Sequence, residues 1–199
     1  MFKKNKYKIC RKMISEEMSE FLFNYLRIKK QTFYSLQRNG VIDNTQKLFG
    51  TEGDVQVPNS YSVYGDIAMD TLLAFIMTDL EKKTKLKLAP TYTYTRLYKN
   101  GDMLEKHRDR ASCEISATLN LGGEMWPIYL EDKKGKQIEV KLTPGDLLIY
   151  KGIELSHWRK PFKGFRCGQV FLHYKDKSKK GWEKFIFDKR PHLGYPLKN

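Results

Sequence analysis

The stretch that decides the fold is Tyr98 to Asp109, YKNGDMLEKHRD. His107 and Asp109 stand two apart, so on extended backbone both side chains leave the same face. An imidazole and a carboxylate set side by side are two thirds of a facial metal site. Such a site takes one more imidazole and leaves three coordination positions open, an arrangement suited to non-haem Fe(II). Alone the pair is a weak signal, because a His-x-Asp arises readily by chance. The residues downstream strengthen it.

His157 follows the run PGDLLIY, within KGIELSHWRK, and lies 48 residues past Asp109. It supplies the second imidazole. Arg166 comes nine residues after His157, at the start of RCGQVFLHY, and offers a planar cationic fork for a carboxylate. Each part has a task. Neutral imidazoles and one carboxylate hold Fe(II) while leaving positions for a chelating 2-oxo acid and for dioxygen.

Outward from these residues, TYTYTRLY alternates Thr91, Thr93, Thr95 and Leu97 against Tyr92, Tyr94, Arg96 and Tyr98, which predicts a strand. Further short strands are predicted over 113–121, 126–131, 137–142, 146–150 and 166–174. Turn signals separate them at Gly122-Gly123, Asp132 to Gly135 and Pro144-Gly145-Asp146. Upstream, Ser15 with Glu16 and Glu17 starts a helix. Its apolar stripe of Met18, Phe21, Leu22, Tyr25 and Leu26 predicts about three turns. Asp66 opens a second helix, with Leu72, Leu73, Ile76, Met77 and Leu80 as the buried stripe. Residues 37–65 carry four Gly and one Pro without periodicity and read as a long loop, a candidate lid or substrate-binding segment.

The expected organisation is a single domain over 1–199. Helical support and the loop occupy 1–90, with a basic lead-in and an edge strand in the first 14 residues. A mainly β core spans 91–175. The segment 176–199, with Trp182, Phe185, Phe187 and Tyr195, is too aromatic for a disordered tail and should pack back on the body. Helices followed by a run of strands predict helices on the outside of a β-sandwich or barrel.

Composition narrows the classes. With 40% hydrophobic residues in 199 positions, the chain can bury a full core. No apolar run approaches membrane-spanning length, and the start MFKKNKYK lacks a signal peptide's apolar region, so the expected compartment is the cytoplasm. Cys10, Cys113 and Cys167 are widely spaced with no Cys-x-x-Cys pair, which argues against a disulfide framework and a thiolate zinc site. The net charge of +14 favours an acidic partner, either nucleic acid or protein. Solvated lysines would give the same charge with no partner at all. The densest run, Lys175, Lys177, Lys179 and Lys180, follows no helical recognition pattern.

Four segments carry a resemblance: LYKNGDMLEKHRD, SATLNLGGE, TPGDLLIYKGIELSHW and FKGFRCGQVFLHY, in order between Arg96 and Tyr174. In them the chain resembles the Fe(II)- and 2-oxoglutarate-dependent dioxygenases, and among those the prolyl 4-hydroxylase-like branch. The resemblance implies a double-stranded β-helix, a cupin-like jelly-roll of two antiparallel sheets with iron at its open end. By it His107, Asp109 and His157 are iron ligands, and Arg166 pairs with the far carboxylate of 2-oxoglutarate. Tyr98 matches a position whose hydroxyl reaches the co-substrate, and Thr118 one that lies beside its carboxylate. Trp158 would wall the pocket. Arg96 would touch substrate or be paired with an acid. Glu124-Met125-Trp126-Pro127 departs from the commoner pattern on the substrate side.

The implied reaction is hydroxylation of a protein or peptide residue, proline above all. It consumes dioxygen and releases succinate and CO2, with ascorbate as a candidate reductant. The alternatives are a nucleic-acid demethylase, which suits the charge but lacks that group's second Arg, a small-molecule or free amino-acid hydroxylase, and a jelly-roll module without chemistry. His173 and His192 are expected to be strand or surface histidines.

Overall fold

The computed structural model describes residues 2–43 and 46–190. Its helices are α1 (Phe2–Asn5), α2 (Glu16–Arg38), α3 (Ile67–Phe75) and α4 (Met77–Thr84). Its strands begin with β1 (Tyr7–Cys10), β2 (Thr51–Glu52), β3 (Tyr61–Tyr64), β4 (Leu88–Lys99) and β5 (Leu104–His107). They continue with β6 (Ile115–Gly123), β7 (Ile128–Glu131), β8 (Gln137–Val140), β9 (Leu147–Tyr150), β10 (His157–Arg159) and β11 (Arg166–Asp176).

The strands form two antiparallel sheets, one in the order β1-β9-β6-β11-β4-β3-β2 and one in the order β5-β10-β7-β8. This is the expected double-stranded β-helix. The central strands of the larger sheet are buried on both faces. Leu97, Leu119, Ile149, Val170 and Leu172 leave one face and pack with Leu22, Leu26, Leu73 and Leu80 of the helices. Each such Leu or Val stabilises the fold by about 1.5–3 kcal/mol on burial. The opposite face turns towards the smaller sheet and carries the site. Register brings its residues into rows, with Phe171 between Tyr94 and Thr118, and Gln169 between Arg96 and Asn120.

The helices differ from expectation in extent. Ser15 does cap α2, accepting a hydrogen bond from the Met18 amide, but the helix runs 23 residues rather than about three turns. Its buried residues are Ser19, Leu22, Leu26 and Phe33, whereas Phe21 stays 69% exposed. The reason is Ser19, whose Oγ donates to the Asn120 and Leu121 carbonyls at 3.1 and 2.9 Å. That contact seats α2 on β6 through a small residue and turns Phe21 outward. Asp66 caps α3 as expected, accepting from the Ala68 and Met69 amides, and the helical run breaks at Ile76 into α3 and α4.

The predicted loop 37–65 is shorter and more ordered than the sequence suggested. Its first two residues complete α2, and Thr51–Glu52 pairs with Tyr61–Tyr64, which extends the sheet beyond β4. Pro90 lies inside β4 because β3 pairs only with Tyr94 to Leu97. At Pro90 that side of β4 is therefore an edge, where a missing N–H is tolerated.

The basic lead-in supplies β1, an edge strand paired to β9. The described part of the C-terminal segment meets the body through Trp182–Lys189, a 3-10 stretch kinked at Ile186–Asp188, and through Arg190, which bonds Asp70 at 3.0 Å. His192 and Tyr195 lie outside the described residues. The three cysteines are free and buried. Among the described residues no helix is long and apolar enough to cross a membrane.

Candidate metal centre and cavity

Two of the shortest strands build the site. β5 and β10 pair so that His107 and His157 are direct partners, with ring centroids 4.3 Å apart. Asp109 lies just past the end of β5, where its amide donates to the Gly152 carbonyl at 3.0 Å. Its Oδ1 is 3.7 Å from His107 Nε2 and 3.5 Å from His157 Nε2. One donor atom from each of the three side chains falls within 4.8 Å of the other two.

The donors are oriented from behind. His107 Nδ1–H donates to the Glu105 carbonyl at 2.8 Å, and His157 Nδ1–H to the Leu155 carbonyl at 3.1 Å. A carbonyl only accepts, so Nδ1 carries a proton in each ring and Nε2 is the atom turned towards Asp109. Such hydrogen bonds fix tautomer and ring angle in metal-ligating histidines. Ser116 Oγ donates to Asp109 Oδ2 at 2.6 Å, which leaves Oδ1 on the histidine side. Tyr150 packs edge-on against His157, with centroids at 4.7 Å.

The electrostatics suit a cation. Burial, then the neighbouring His157, pushes the His107 pKa down. Burial alone would raise Asp109, but His157, His173 and Ser116 outweigh it and bring its pKa to about 2. The carboxylate is thus ionised at neutral pH and His107 favours its neutral form, as metal binding requires. Two imidazole nitrogens and one carboxylate oxygen converging on one side of a cavity match the facial donor set of non-haem Fe(II).

The cavity, of about 660 Å³, is lined by the three donors together with Tyr92, Tyr94, Arg96, Arg108, Arg110 and Phe171, among others. Arg96 is buried and forms an ion pair with Asp54 from the 37–65 region. Asp54 also accepts from Tyr94 Oη at 2.5 Å and from the Gln56 and Val57 amides. Of the two expected roles for Arg96, the structure shows the pairing with an acid, on the cavity wall. Tyr98 is fully buried on the same strand face, with its Oη 3.4 Å from Arg96 Nη1. Thr118 Oγ1 donates to Gln169 Oε1 at 3.1 Å on the interior face.

Two expected site residues point elsewhere. Trp158 follows His157 on a strand, so it leaves the opposite face. There it stacks on Tyr129 at 5.7 Å and carries Lys106 over its ring, away from the cavity wall. Arg166 is displaced by the same alternation. The interior residues of β11 are Gln169, Phe171 and His173, and counting back by twos reaches Cys167. Arg166 opens the other face. It pairs with Lys99 in the ladder and sets its guanidinium 4.8 Å from the Phe165 ring. Its charge is felt by Lys30 of α2, whose pKa is lowered chiefly by burial. His173 is an interior strand residue outside the triad, and its Nδ1 lies 3.0 Å from Ser116 Oγ.

Sequence reasoning passed over Ser116, Tyr150, Gly152, Arg159 and Gln169. For Arg159 a signal existed: His-x-Arg at 157–159 has the two-residue spacing used for His107 and Asp109.

The chain has the fold of the 2-oxoglutarate- and Fe(II)-dependent oxygenases. A Pseudomonas putida prolyl-4-hydroxylase superposes with a TM-score of 0.66 at 14% identity, over 88% of this chain and 95% of that one. A prolyl hydroxylase from Trichoplax adhaerens, solved with a fragment of hypoxia inducible factor, gives 0.64 at 13%, over 89% and 86%. An α-ketoglutarate-dependent epimerase of nogalamycin biosynthesis gives 0.65 at 11%, over 88% and 80%. The sequence matches no protein-family model and no curated protein.

Proposed function

We propose that this protein is an Fe(II)- and 2-oxoglutarate-dependent dioxygenase that hydroxylates a protein or peptide residue, with proline the preferred target. The observation that carries the reading is the donor set: His107 Nε2, His157 Nε2 and Asp109 Oδ1, pre-oriented by backbone carbonyls and Ser116, on the wall of a cavity. When bound, Fe(II), 2-oxoglutarate and dioxygen supply the oxidation of an unactivated C–H bond, with succinate and CO2 released. Ascorbate is a candidate reductant for the metal.

The chain's own residues do the rest. His107, Asp109 and His157 would hold the metal at the cavity wall. Tyr98 and Thr118 line the interior face on which the co-substrate would lie. Arg166 has no part in this arrangement, since it leaves the opposite face of its strand. Asp54 and Arg96 fix the Asp54–Val57 turn at the cavity mouth, where a substrate chain would enter. Arg108 and Arg110 on the wall favour an acidic substrate.

Support for a peptide comes from the likeness to two prolyl hydroxylases, one of them holding a peptide. The test is a turnover assay with Fe(II) and 2-oxoglutarate. Proline-containing peptides should stimulate succinate formation and gain one oxygen, about 16 Da. Methylated single-stranded DNA or RNA should do neither. Demethylation of such an oligonucleotide, with a varied proline-peptide library inert, would replace this reading by that of a nucleic-acid demethylase.

A further inference from the structure

Arginine burial in this protein follows a rule with one exception. Arg96 (2% exposed) is paired with Asp54, and Arg190 (8% exposed) with Asp70. Arg159, at 1% exposed the most buried of the three, has no carboxylate partner among the described residues. Its Nη1 donates to the Trp126 carbonyl and its Nη2 to Gln169 Oε1 at 3.3 Å. Its guanidinium lies 5.0 Å from the centroid of the Trp126 ring, and its Nε has no hydrogen-bond partner among the described residues. Burial weakens its hold on the proton, and the titratable groups that act on it, Cys167, Tyr98 and Tyr150, include no carboxylate. A buried cation held only by neutral acceptors is costly, and an unfilled Nε leaves one edge of its fork free.

Its position says which anion would complete it. Arg159 shares the interior face of β10 with His157, two residues and so about 7 Å along the strand. An extended five-carbon dicarboxylic acid is about 5 Å between its end carbons, from four bonds of about 1.5 Å. Gln169 Oε1 accepts from both Arg159 and Thr118, so this guanidinium and that hydroxyl converge on one point between the sheets.

We infer that Arg159, and not Arg166, binds the far carboxylate of the 2-oxo acid co-substrate, with Thr118 beside it. This rests on the co-substrate being 2-oxoglutarate, as proposed above. The sequence HWR, rather than an Arg one strand further on, then carries the anchor.

The experiment is anaerobic calorimetric binding to the Co(II)-loaded protein. Its probes are 2-oxoglutarate and 2-oxopentanoate, which has the same chain without the far carboxylate. Wild type should prefer 2-oxoglutarate by about 100-fold, the effect of one buried, charge-assisted pairing. Arg159→Met should lose that preference while keeping its affinity for Co(II) and 2-oxopentanoate, and Arg166→Ala should match wild type. Arg159→Gln keeps a donor for the Trp126 carbonyl, carries the same expectation, and replaces the Met variant should that one fail to bind Co(II).

Retention of the preference in the Arg159 variants, or its loss in Arg166→Ala, overturns the assignment. So does an equal loss for both acids, or a loss of Co(II) binding in the Met and the Gln variant alike, which would mark Arg159 as merely structural. If wild type loaded with Co(II) binds neither acid, the co-substrate reading fails first and takes this one with it.

Discussion

The Asp109 amide donates to the Gly152 carbonyl at 3.0 Å, and a methyl group on Gly152 would stand 2.1 Å from Asp109 Oδ2. The same methyl would lie 2.6 Å from the Cys113 carbonyl and 2.7 Å from Ser116 Oγ. Only glycine lets the chain pass this close behind Asp109. Gly152→Ala should therefore displace Asp109 without touching a donor atom, weakening metal affinity about 10- to 100-fold, as loss of an orienting contact does. Co(II) titration of the folded variant checks this. Wild-type affinity would mean that Asp109 is not held from this side.

Replacing His107 or Asp109 by Ala should abolish metal-dependent succinate formation and leave the thermal midpoint within a few degrees of wild type. These side chains line a cavity rather than the core, so few packing contacts are lost. Succinate assay and circular dichroism on the same preparations separate the two effects. Turnover at the wild-type rate in Asp109→Ala would exclude the triad.

Asp54 neutralises the buried Arg96 while remaining partly open to solvent itself. Asp54→Asn should lower stability by about 1–3 kcal/mol, below the range for a fully buried pair because water reaches one partner. The Gln56 and Val57 amides, which bond Asp54, should exchange hydrogen faster. Urea unfolding and amide exchange test this together, and unchanged exchange would show that the turn is held by other contacts.

Glu114 is buried between Lys175, at 2.8 Å, and Lys179. Burial raises its pKa, but the two ammonium groups outweigh it, and the net shift is below the ordinary 4.5. A carboxyl with a depressed folded-state pKa adds stability that is present above about 4.5 and lost as pH falls through the folded value. Wild type should thus lose stability steeply below pH 4.5, and Glu114→Gln should start lower and show a flatter acid limb. Parallel acid limbs in urea unfolding would contradict the pairing.

Much of the site was legible because period and spacing are local. The His-x-Asp spacing puts His107 and Asp109 on one side of the cavity, and the alternation of TYTYTRLY puts Tyr92, Tyr94, Arg96 and Tyr98 together on the interior side. What failed was parity where no polarity marks it. β11 is buried on both faces, so RCGQVFLHY carries no alternation to say which residues look inward, and neither spacing nor resemblance gives the face of Arg166. For Arg159 only the two-residue step from His157 is local evidence, since the three residues of β10 give no longer strand pattern. The buried face of α2 depends on Ser19 meeting β6, a tertiary contact that the local stripe does not show.

The most direct test of the oxygenase reading is an anaerobic titration of the protein with Fe(II) and then 2-oxoglutarate, followed by visible absorption. The account predicts a weak, broad charge-transfer band that needs both components, saturates at one equivalent of each and is missing from Asp109→Ala. Absence of the band in wild type at saturating Fe(II) and 2-oxoglutarate would contradict it.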